Sequence, residues 1–503
     1  MKIKIYATSD VHGTITPYRY SDHQEMNMGM MKLAPFIKKD NHTLLIDNGD
    51  VLQGSPLDAY YQIEHHDIHP MAKIYNALNY DYINLGNHEF NYGKEGVWQY
   101  LKESKAQCIT SNLFDHGQCF GKDYIIHEFD DEHKVALIGV TTQYIPNWEQ
   151  QKNIEGMSFE DAFEATKKRV QIVKENENVQ GIIVVYHGGF ERDLETGEPT
   201  EKLTGENLGY KICKEIKDVD ILITGHQHRS IASFCCGKCV TQTAFNAQEI
   251  AYIEWDLDTN ERIPKLVHAD QEIDQSLFEY IKEEEKATQN YLDQPIGQMK
   301  HGDLLVHDEF DARLHKHPLI SFLNQVQMYC THAQLAACAL FNGACGFNHE
   351  ITMRDLVSTY PYPNTLVVLK VSGKILKEYL EKSAEYFQLI DGEIGINPRF
   401  IYPKPAHYNY DMVDGCDYTI QVSNPIGSRI VDLRVNGKEV QEDDSFTLCV
   451  NNYRAACGGD FFMLKDCEVV MSLQEDMVEC LSRYMKDFPI IQVKHKNNIK
   501  VIK

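Results

Sequence analysis

No stretch of this 503-residue chain approaches the ~18 consecutive apolar residues of a membrane-spanning helix. No secretory leader is expected either: Met1 is followed by Ile3, Ile5 and Thr8, an alternation that reads as a strand rather than a signal peptide. Positive charge is scarce, with 49 Lys and Arg against 74 Asp and Glu and a formal net charge of −25. Proteins that track a polynucleotide need Lys and Arg to displace its counterions, so no polynucleotide partner is expected. Small anions remain open as substrates where bound cations reverse the local field. The fourteen cysteines are scattered rather than framed in regular pairs, which argues against a disulfide scaffold and suits reduced thiols. Internal repeats and low-complexity tracts are also lacking. The expectation is a cytoplasmic protein with neither a membrane nor an obligate protein partner.

What is present is ordinary core material, 43% hydrophobic and 24% charged residues. The length implies two or three domains. Short apolar runs recur, and each breaks into a glycine turn carrying polar groups. The 2–7 run ends in Thr8-Ser9-Asp10-Val11-His12-Gly13, and the 43–46 run in Asp47-Asn48-Gly49-Asp50. The 80–84 run leads into Leu85-Gly86-Asn87-His88-Glu89-Phe90, the 181–186 run into His187-Gly188-Gly189, and the 220–224 run into Gly225-His226-Gln227-His228. Such runs read as buried strands that deliver side chains to the carboxyl edge of a sheet, where chemistry sits in open α/β folds. Alternation through 240–257 predicts an antiparallel sheet covering this domain.

Collected, the polar residues are Asp10, His12, Asp50, Asn87, His187, His226 and His228. One histidine at a strand end is more often structural; seven such residues point to metal. Two divalent ions need about eight to ten ligand positions, which seven side chains with one bridging carboxylate and a bridging hydroxide would fill. Mixed oxygen and imidazole donors fit Mn, Zn, Fe or Co.

The ordered blocks Asp10-Val11-His12, Gly49-Asp50, Gly86-Asn87-His88-Glu89, His187 and Gly225-His226-Gln227-His228 resemble those of the calcineurin-like metallophosphoesterases. The resemblance implies an N-terminal four-layer α/β/β/α sandwich with two metals. One would be held by Asp10, His12, Asp50 and His228, the other by Asp50, Asn87, His187 and His226, with Asp50 bridging. His88 would then act on the phosphoryl oxygens or the leaving alkoxide rather than on a metal.

Beyond 276–292, a charged segment read as a solvated linker helix, the chain resembles the 5'-nucleotidase group and its 2',3'-cyclic-nucleotide 2'-phosphodiesterase/3'-nucleotidase branch. The residues that carry this are Asn342-Gly343, the Thr359-Tyr360-Pro361-Tyr362-Pro363-Asn364-Thr365-Leu366 run, Tyr408-Asn409-Tyr410-Asp411, Asn451-Asn452-Tyr453-Arg454-Ala455 and Gly458-Gly459-Asp460. The implied organisation is a metallophosphoesterase domain over 1–272, a linker over 273–295 and a C-terminal α+β nucleotide-binding domain over 296–503. Tyr362 and Tyr453 would sandwich a base, an interaction worth about 1–3 kcal/mol per base; Asp460 and Asn342 would contact the substrate.

Two positions depart from the 5'-nucleotidases. Asn91 stands where they place an Asp three residues after the catalytic His, and Phe347 where they place a phosphate-gripping Arg. Both match the cyclic-nucleotide branch. The function expected is hydrolysis of 2',3'-cyclic nucleotides and 3'-nucleotides, with a 5'-nucleotidase or UDP-sugar hydrolase as the in-class rival and a catalytically silent nucleotide sensor as the rival of another class. Three clusters stay outside this reading. His65, His66 and His69 are taken as a solvated loop, Cys235, Cys236 and Cys239 as a hairpin tip, and 490–503 as an edge hairpin.

Overall fold

The computed structural model describes residues 1–64, 68–201, 203–362, 364–402 and 404–503. The chain divides into two compact units, Met1–Thr288 and Gln289–Lys503.

In the first unit, the strand Lys2–Thr8 pairs in parallel with Thr43–Asp47, which pairs with Tyr82–Ile83 and that in turn with Gln107–Cys108. Glu249–Asp256 and Glu261–His268 extend the other edge antiparallel. A second six-stranded sheet runs in the order Ile125–Glu128, Lys134–Thr141, Gly181–His187, Ile221–Thr224, Lys238–Gln242 and Ile231–Cys235. Its middle four strands are parallel.

Strand periodicity of two decides how these sheets stack. Ile3, Ile5, Leu44 and Ile46 of the first share one buried cluster with Leu137, Ile183, Val185, Ile221 and Ile223 of the second. Residues of the opposite phase face outward: Tyr6 and Leu45 pack with Met71, Ile74 and Tyr75 of the helix Pro70–Leu78. On the other side, Ala136, Ile138, Val184 and Leu222 pack with Phe163 and Val170 of the helix Ala162–Asn176. The result is the α/β/β/α sandwich, and each fully buried aliphatic side chain contributes about 1.5–3 kcal/mol to holding it. A slip of one residue would exchange the two faces of a strand.

The second unit is α+β. Its main sheet runs Asp411–Asp414, Leu335–Ala339, Ser445–Asn451, Thr365–Ser372 and Glu468–Asp476, and its core includes residues of the helices Pro318–Thr331, Gly373–Ala384 and Met477–Asp487.

Several expectations are corrected. The alternating 240–257 region is divided between sheets: Lys238–Gln242 lies parallel to Ile221–Thr224, while Glu249–Asp256 lies antiparallel to Lys2–Thr8. The tail forms no hairpin, because Ile490–Ile491 pairs with Pro295–Met299 and Ile499–Ile502 with Cys416–Gln421, both in parallel. The helix Lys282–Leu292 is fastened rather than solvated all round. Glu284 pairs with Lys73 and Glu285 accepts from the Tyr20 hydroxyl, while Arg354 binds Gln289 and Asp293. Cys235, Cys236 and Cys239 do surround a hairpin turn, with Cys236 and Gly237 both at positive φ.

His65 and His66 lie outside the described residues. His69 is no loop histidine: it is buried and caps the helix Pro70–Leu78, its Nδ1 accepting from the Met71 N–H at 3.2 Å. Its Nε2 faces a carboxylate oxygen of Asp58 at 3.7 Å. Asp58 is fully buried, and among the described residues neither of its carboxylate oxygens has a hydrogen-bond partner. The Ser55 hydroxyl beside it accepts from the Asp58 backbone instead. Burial therefore pushes the Asp58 carboxyl up to about 8 and His69 down to about 3.

The sign for Asp58 is unusual for an acid. Between pH 4 and 8 the unfolded chain releases a proton that the native carboxyl keeps, so this group costs about 1.4 kcal/mol of stability per pH unit as pH rises. Asp58→Asn removes that slope. The melting temperature of the variant relative to the parent should rise steadily between pH 5 and pH 7.5, and a constant difference would refute a neutral buried Asp58.

Candidate metal centre

The parallel strands of both sheets end at one edge, and the loops that follow them are short and sterically constrained. Asp10, His12, Asp50, His226 and His228 all have positive φ, between 49° and 70°. Left-handed backbone costs about 1–2 kcal/mol for a residue with a Cβ, so something must hold these loops. Backbone bonds do part of it: Asp10 N–H donates to Gly49 O and His12 N–H to Asp50 O, each at 2.9 Å. Side chains do the rest. The buried Glu89 carboxylate accepts from the N–H groups of Asp50, Val51, Leu52 and Gly86, tying the Asp50 turn to the Asn87 turn. Asp10 accepts from the His226 N–H at 3.0 Å. Two glycines let the turns meet, since a Cβ on Gly49 would lie 2.2 Å from Gly86 N and one on Gly86 2.2 Å from Asp50 Oδ1.

All seven expected residues converge. Ligand atoms of Asp10, His12 and His228 lie within 4.8 Å of one another, as do those of Asp50, His187 and His226. His12 Nε2 is 3.2 Å from His228 Nε2, which is 3.4 Å from Asp10 Oδ1. His187 Nε2 stands 3.2 Å from both Asp50 Oδ2 and Asn87 Oδ1, and His226 Nδ1 2.8 Å from the same Asn87 oxygen. The rear nitrogens are tied down: His12 Nδ1 donates to Gln53 O at 2.8 Å and His187 Nδ1 to Asn48 O at 2.6 Å. These bonds leave each Nε2 with a free lone pair facing the cluster, the tautomer a cation needs.

The electrostatics suit cations as well. Burial works against charge on Asp10, yet the hydrogen bond and charge of His228 hold its carboxyl well below the ordinary range. Burial likewise opposes charge on Asp50, and His187 and His88 outweigh it. Burial disfavours a charged His187, but Asp50 beside it raises its pKa to about 10. The carboxylate charge that favours a proton on His187 would equally favour a divalent cation in its place.

Four supporting residues escaped the sequence reading. Glu206 Oε1 lies 2.9 Å from His226 Nε2. Trp148 stacks on His226 at 5.4 Å and Phe245 on His228 at 5.1 Å. Glu149 accepts from Asn91 Nδ2 at 2.7 Å. None lies in a motif that marks it; each reaches the centre along a loop. His88 is half-buried beside the His12 ring, with its N–H on Asp50 Oδ1 and its Nδ1 2.7 Å from Asn91 Oδ1.

In the second unit, a buried guanidinium ties together segments that carry some of the expected substrate residues. Arg454 binds both carboxylate oxygens of Asp411 and the carbonyls of Tyr408 and Gly458, which brings three of the quoted segments together. The Tyr453 ring lies against Gly458, where a Cβ would come within 2.5 Å of it. Tyr362 is 37% exposed and meets the edge of Phe341. Asp460 faces Lys382 and Arg399 at 3.7 and 3.8 Å, and Asn342 donates to Pro405 O. Phe347 is fully buried against Phe322.

Residues 3–230 match the calcineurin-like phosphoesterase family and residues 295–466 the 5'-nucleotidase C-terminal domain. A crystal structure of a Staphylococcus aureus protein provisionally assigned as a 5'-nucleotidase superposes over 100% of both chains, with a TM-score of 0.92 and 34% identity. The 2',3'-cyclic-nucleotide 2'-phosphodiesterase/3'-nucleotidase of Salmonella typhimurium is 26% identical over 94% of this chain and 84% of its own. The trifunctional nucleotide phosphoesterase YfkN of Bacillus subtilis is 26% identical over 99% of this chain, which spans only 38% of that protein. The chain belongs to the 5'-nucleotidase family of calcineurin-like metallophosphoesterases, hydrolases that use two divalent metals. The two ligand clusters fit that requirement in number, donor type and buried position. Among the described residues, no helix is long and apolar enough to cross a membrane.

If Asp50 serves both ions, Asp50→Asn should lose most of the bound metal. Elemental analysis that still finds two ions per chain in this variant would rule out a bridging role.

Proposed function

We propose that this hydrolase opens 2',3'-cyclic nucleotides at the 2' oxygen and removes phosphate from 3'-nucleotides. The observation that carries this reading is the His88 surround. An amide, Asn91 Oδ1, stands 2.7 Å from His88 Nδ1 where the 5'-nucleotidases present a carboxylate. Two further points support it: Phe347 is committed to the core where a phosphate-gripping Arg would stand, and relatives from three bacteria carry the cyclic-phosphodiesterase/3'-nucleotidase name.

Asp10, His12, Asp50 and His228 would hold one ion, and Asp50, Asn87, His187 and His226 the other. Such a pair supplies Lewis acidity toward the phosphoryl oxygens and activates water for in-line attack on phosphorus. Gln53 and Asn48 keep the His12 and His187 rings turned forward, and Glu206 does the same for His226. His88 carries the proton that the departing ribose oxygen takes up. In the second domain, which we assign to residues 296–503 after a linker over 273–295, Tyr362 and Tyr453 stack on the base, with Asp460 and Asn342 at its polar edge. All fourteen cysteines are free thiols, which suits a cytoplasmic setting.

The deciding assay measures ring opening and phosphate release from 2',3'-cyclic AMP, 3'-AMP, 5'-AMP and UDP-glucose, each with Mn, Zn, Co and Mg. The first two should dominate. Faster turnover of 5'-AMP or UDP-glucose would install the 5'-nucleotidase reading, which the S. aureus likeness favours.

For the base clamp, Tyr362→Ala or Tyr453→Ala should cost about 1–3 kcal/mol of binding, roughly five- to 150-fold in kcat/KM on 3'-AMP. Turnover of p-nitrophenyl phosphate, which has no base, should hold. Equal losses on both substrates would make the tyrosines structural.

A further inference from the structure

Among the carboxylates near the centre, Glu149 is conspicuous because it touches none of the seven metal-type residues yet is tied firmly to the loop beside His88. It lies between two short 3-10 turns, Ile145–Asn147 and Gln151–Ile154. Its Oε1 accepts from the Gln150 N–H at 2.7 Å and from Asn153 Nδ2 at 2.8 Å, and its Oε2 accepts from Asn91 Nδ2 at 2.7 Å. The same Asn153 nitrogen also reaches Asn91 O at 3.0 Å. The chain thus contains a continuous line from His88 Nδ1 through the Asn91 amide to the Glu149 carboxylate.

An amide between an imidazole and a carboxylate can face either way, and here the chemistry selects one. A carboxylate only accepts, so Asn91 must turn its NH2 to Glu149 and its oxygen to His88. Asn91 Oδ1 can only accept from His88, so Nδ1 must carry a hydrogen. The catalytic face of the ring is then Nε2. Burial pushes the Glu149 carboxyl up, while Asn153, the Gln150 N–H and Asn91 favour its charged form.

We propose that Glu149 is a positioning residue for His88: acting through Asn91, it fixes the ring with the hydrogen on Nδ1 and with Nε2 as the face that serves the departing ribose oxygen. This inference rests on the leaving-group role given to His88 above. The step balances: the attacking water oxygen forms a new P–O bond as the P–O bond to ribose breaks, the ribose oxygen keeps that electron pair, and the proton on His88 Nε2 becomes the new hydroxyl hydrogen. A neutral imidazole with hydrogen on Nδ1 remains. The negative charge that the 5'-nucleotidase pattern places directly on the His is kept here one amide further away.

Glu149→Gln is the informative variant because geometry dictates its result. The new carboxamide keeps its oxygen on Gln150 N and Asn153 and turns its NH2 toward Asn91. Asn91 must flip, presenting NH2 to His88 Nδ1, which can then no longer carry its hydrogen against Asn91. Turnover of 3'-AMP, whose alkoxide needs a proton, should fall at least tenfold. Turnover of p-nitrophenyl phosphate, whose phenolate leaves unaided, should fall much less, and metal content should hold. The charge-swapped pair Asn91→Asp with Glu149→Gln restores a carboxylate on Nδ1 and a donor behind it, and should regain most of the lost 3'-AMP turnover. Equal losses on both substrates with no recovery in the swapped pair would make Glu149 merely structural and overturn the proposal. His88→Asn separates the underlying reading. It should retain metal and lower kcat on 3'-AMP by about 10²–10⁴; an equal loss on p-nitrophenyl phosphate would refute the leaving-group role itself.

Discussion

One buried carboxylate organises the centre. Glu89, 2% exposed, accepts four backbone N–H groups from two loops that are distant in sequence. Burial first, and then the charge of Asp50, push its carboxyl up, while the N–H groups favour the ion. A buried charge without such partners would cost several kcal/mol, so the two loops and the carboxylate depend on one another. The Asp50 and Asn87 turns cannot separate without exposing Glu89 to an apolar surround, and they therefore arrive at the metal positions as one body.

Around this anchor the backbone is forced into conformations it does not prefer. Five of the seven metal-type residues are left-handed. The geometry follows from crowding: parallel strands from two facing sheets end within a few ångströms of each other, and each must reverse at once to aim a short side chain into the same space. Gly49 and Gly86 remove the Cβ atoms that would collide. Strain of this kind survives because donors and acceptors on neighbouring loops leave no alternative arrangement.

The sequence made the strand ends legible because a buried parallel strand leaves an unbroken apolar run, and the turn that stops it carries the chemistry within two or three residues. It could not show which sheet a strand joins. The alternating stretch near 240–257 reads the same in either sheet, yet Lys238–Gln242 and Glu249–Asp256 lie in opposite ones. It could not show the tail's partners either, since parallel pairing with residues 192 and 81 positions earlier in the chain leaves no local mark. Glu149, Glu206, Trp148 and Phe245 were invisible for a related reason: they act across loops, with neither periodicity nor turn chemistry to reveal them. His69 had a legible role that was missed, because a residue directly before Pro70 at a helix start is placed to cap it.

Asn91 shows how such an invisible partner changes the meaning of a visible residue. Taken alone, an amide beside His88 is a weakened version of a carboxylate. With Glu149 at 2.7 Å from its other end, a carboxylate at position 91 would be the worse choice, since two like charges in hydrogen-bond contact cannot both stay ionised and would have to share a proton. That proton would come at the expense of the charge available to His88. The amide avoids the conflict, because it accepts from the imidazole on one side and donates to the carboxylate on the other. Asn91 and Glu149 therefore work as a pair, in which the amide fills the gap between the imidazole and the carboxylate.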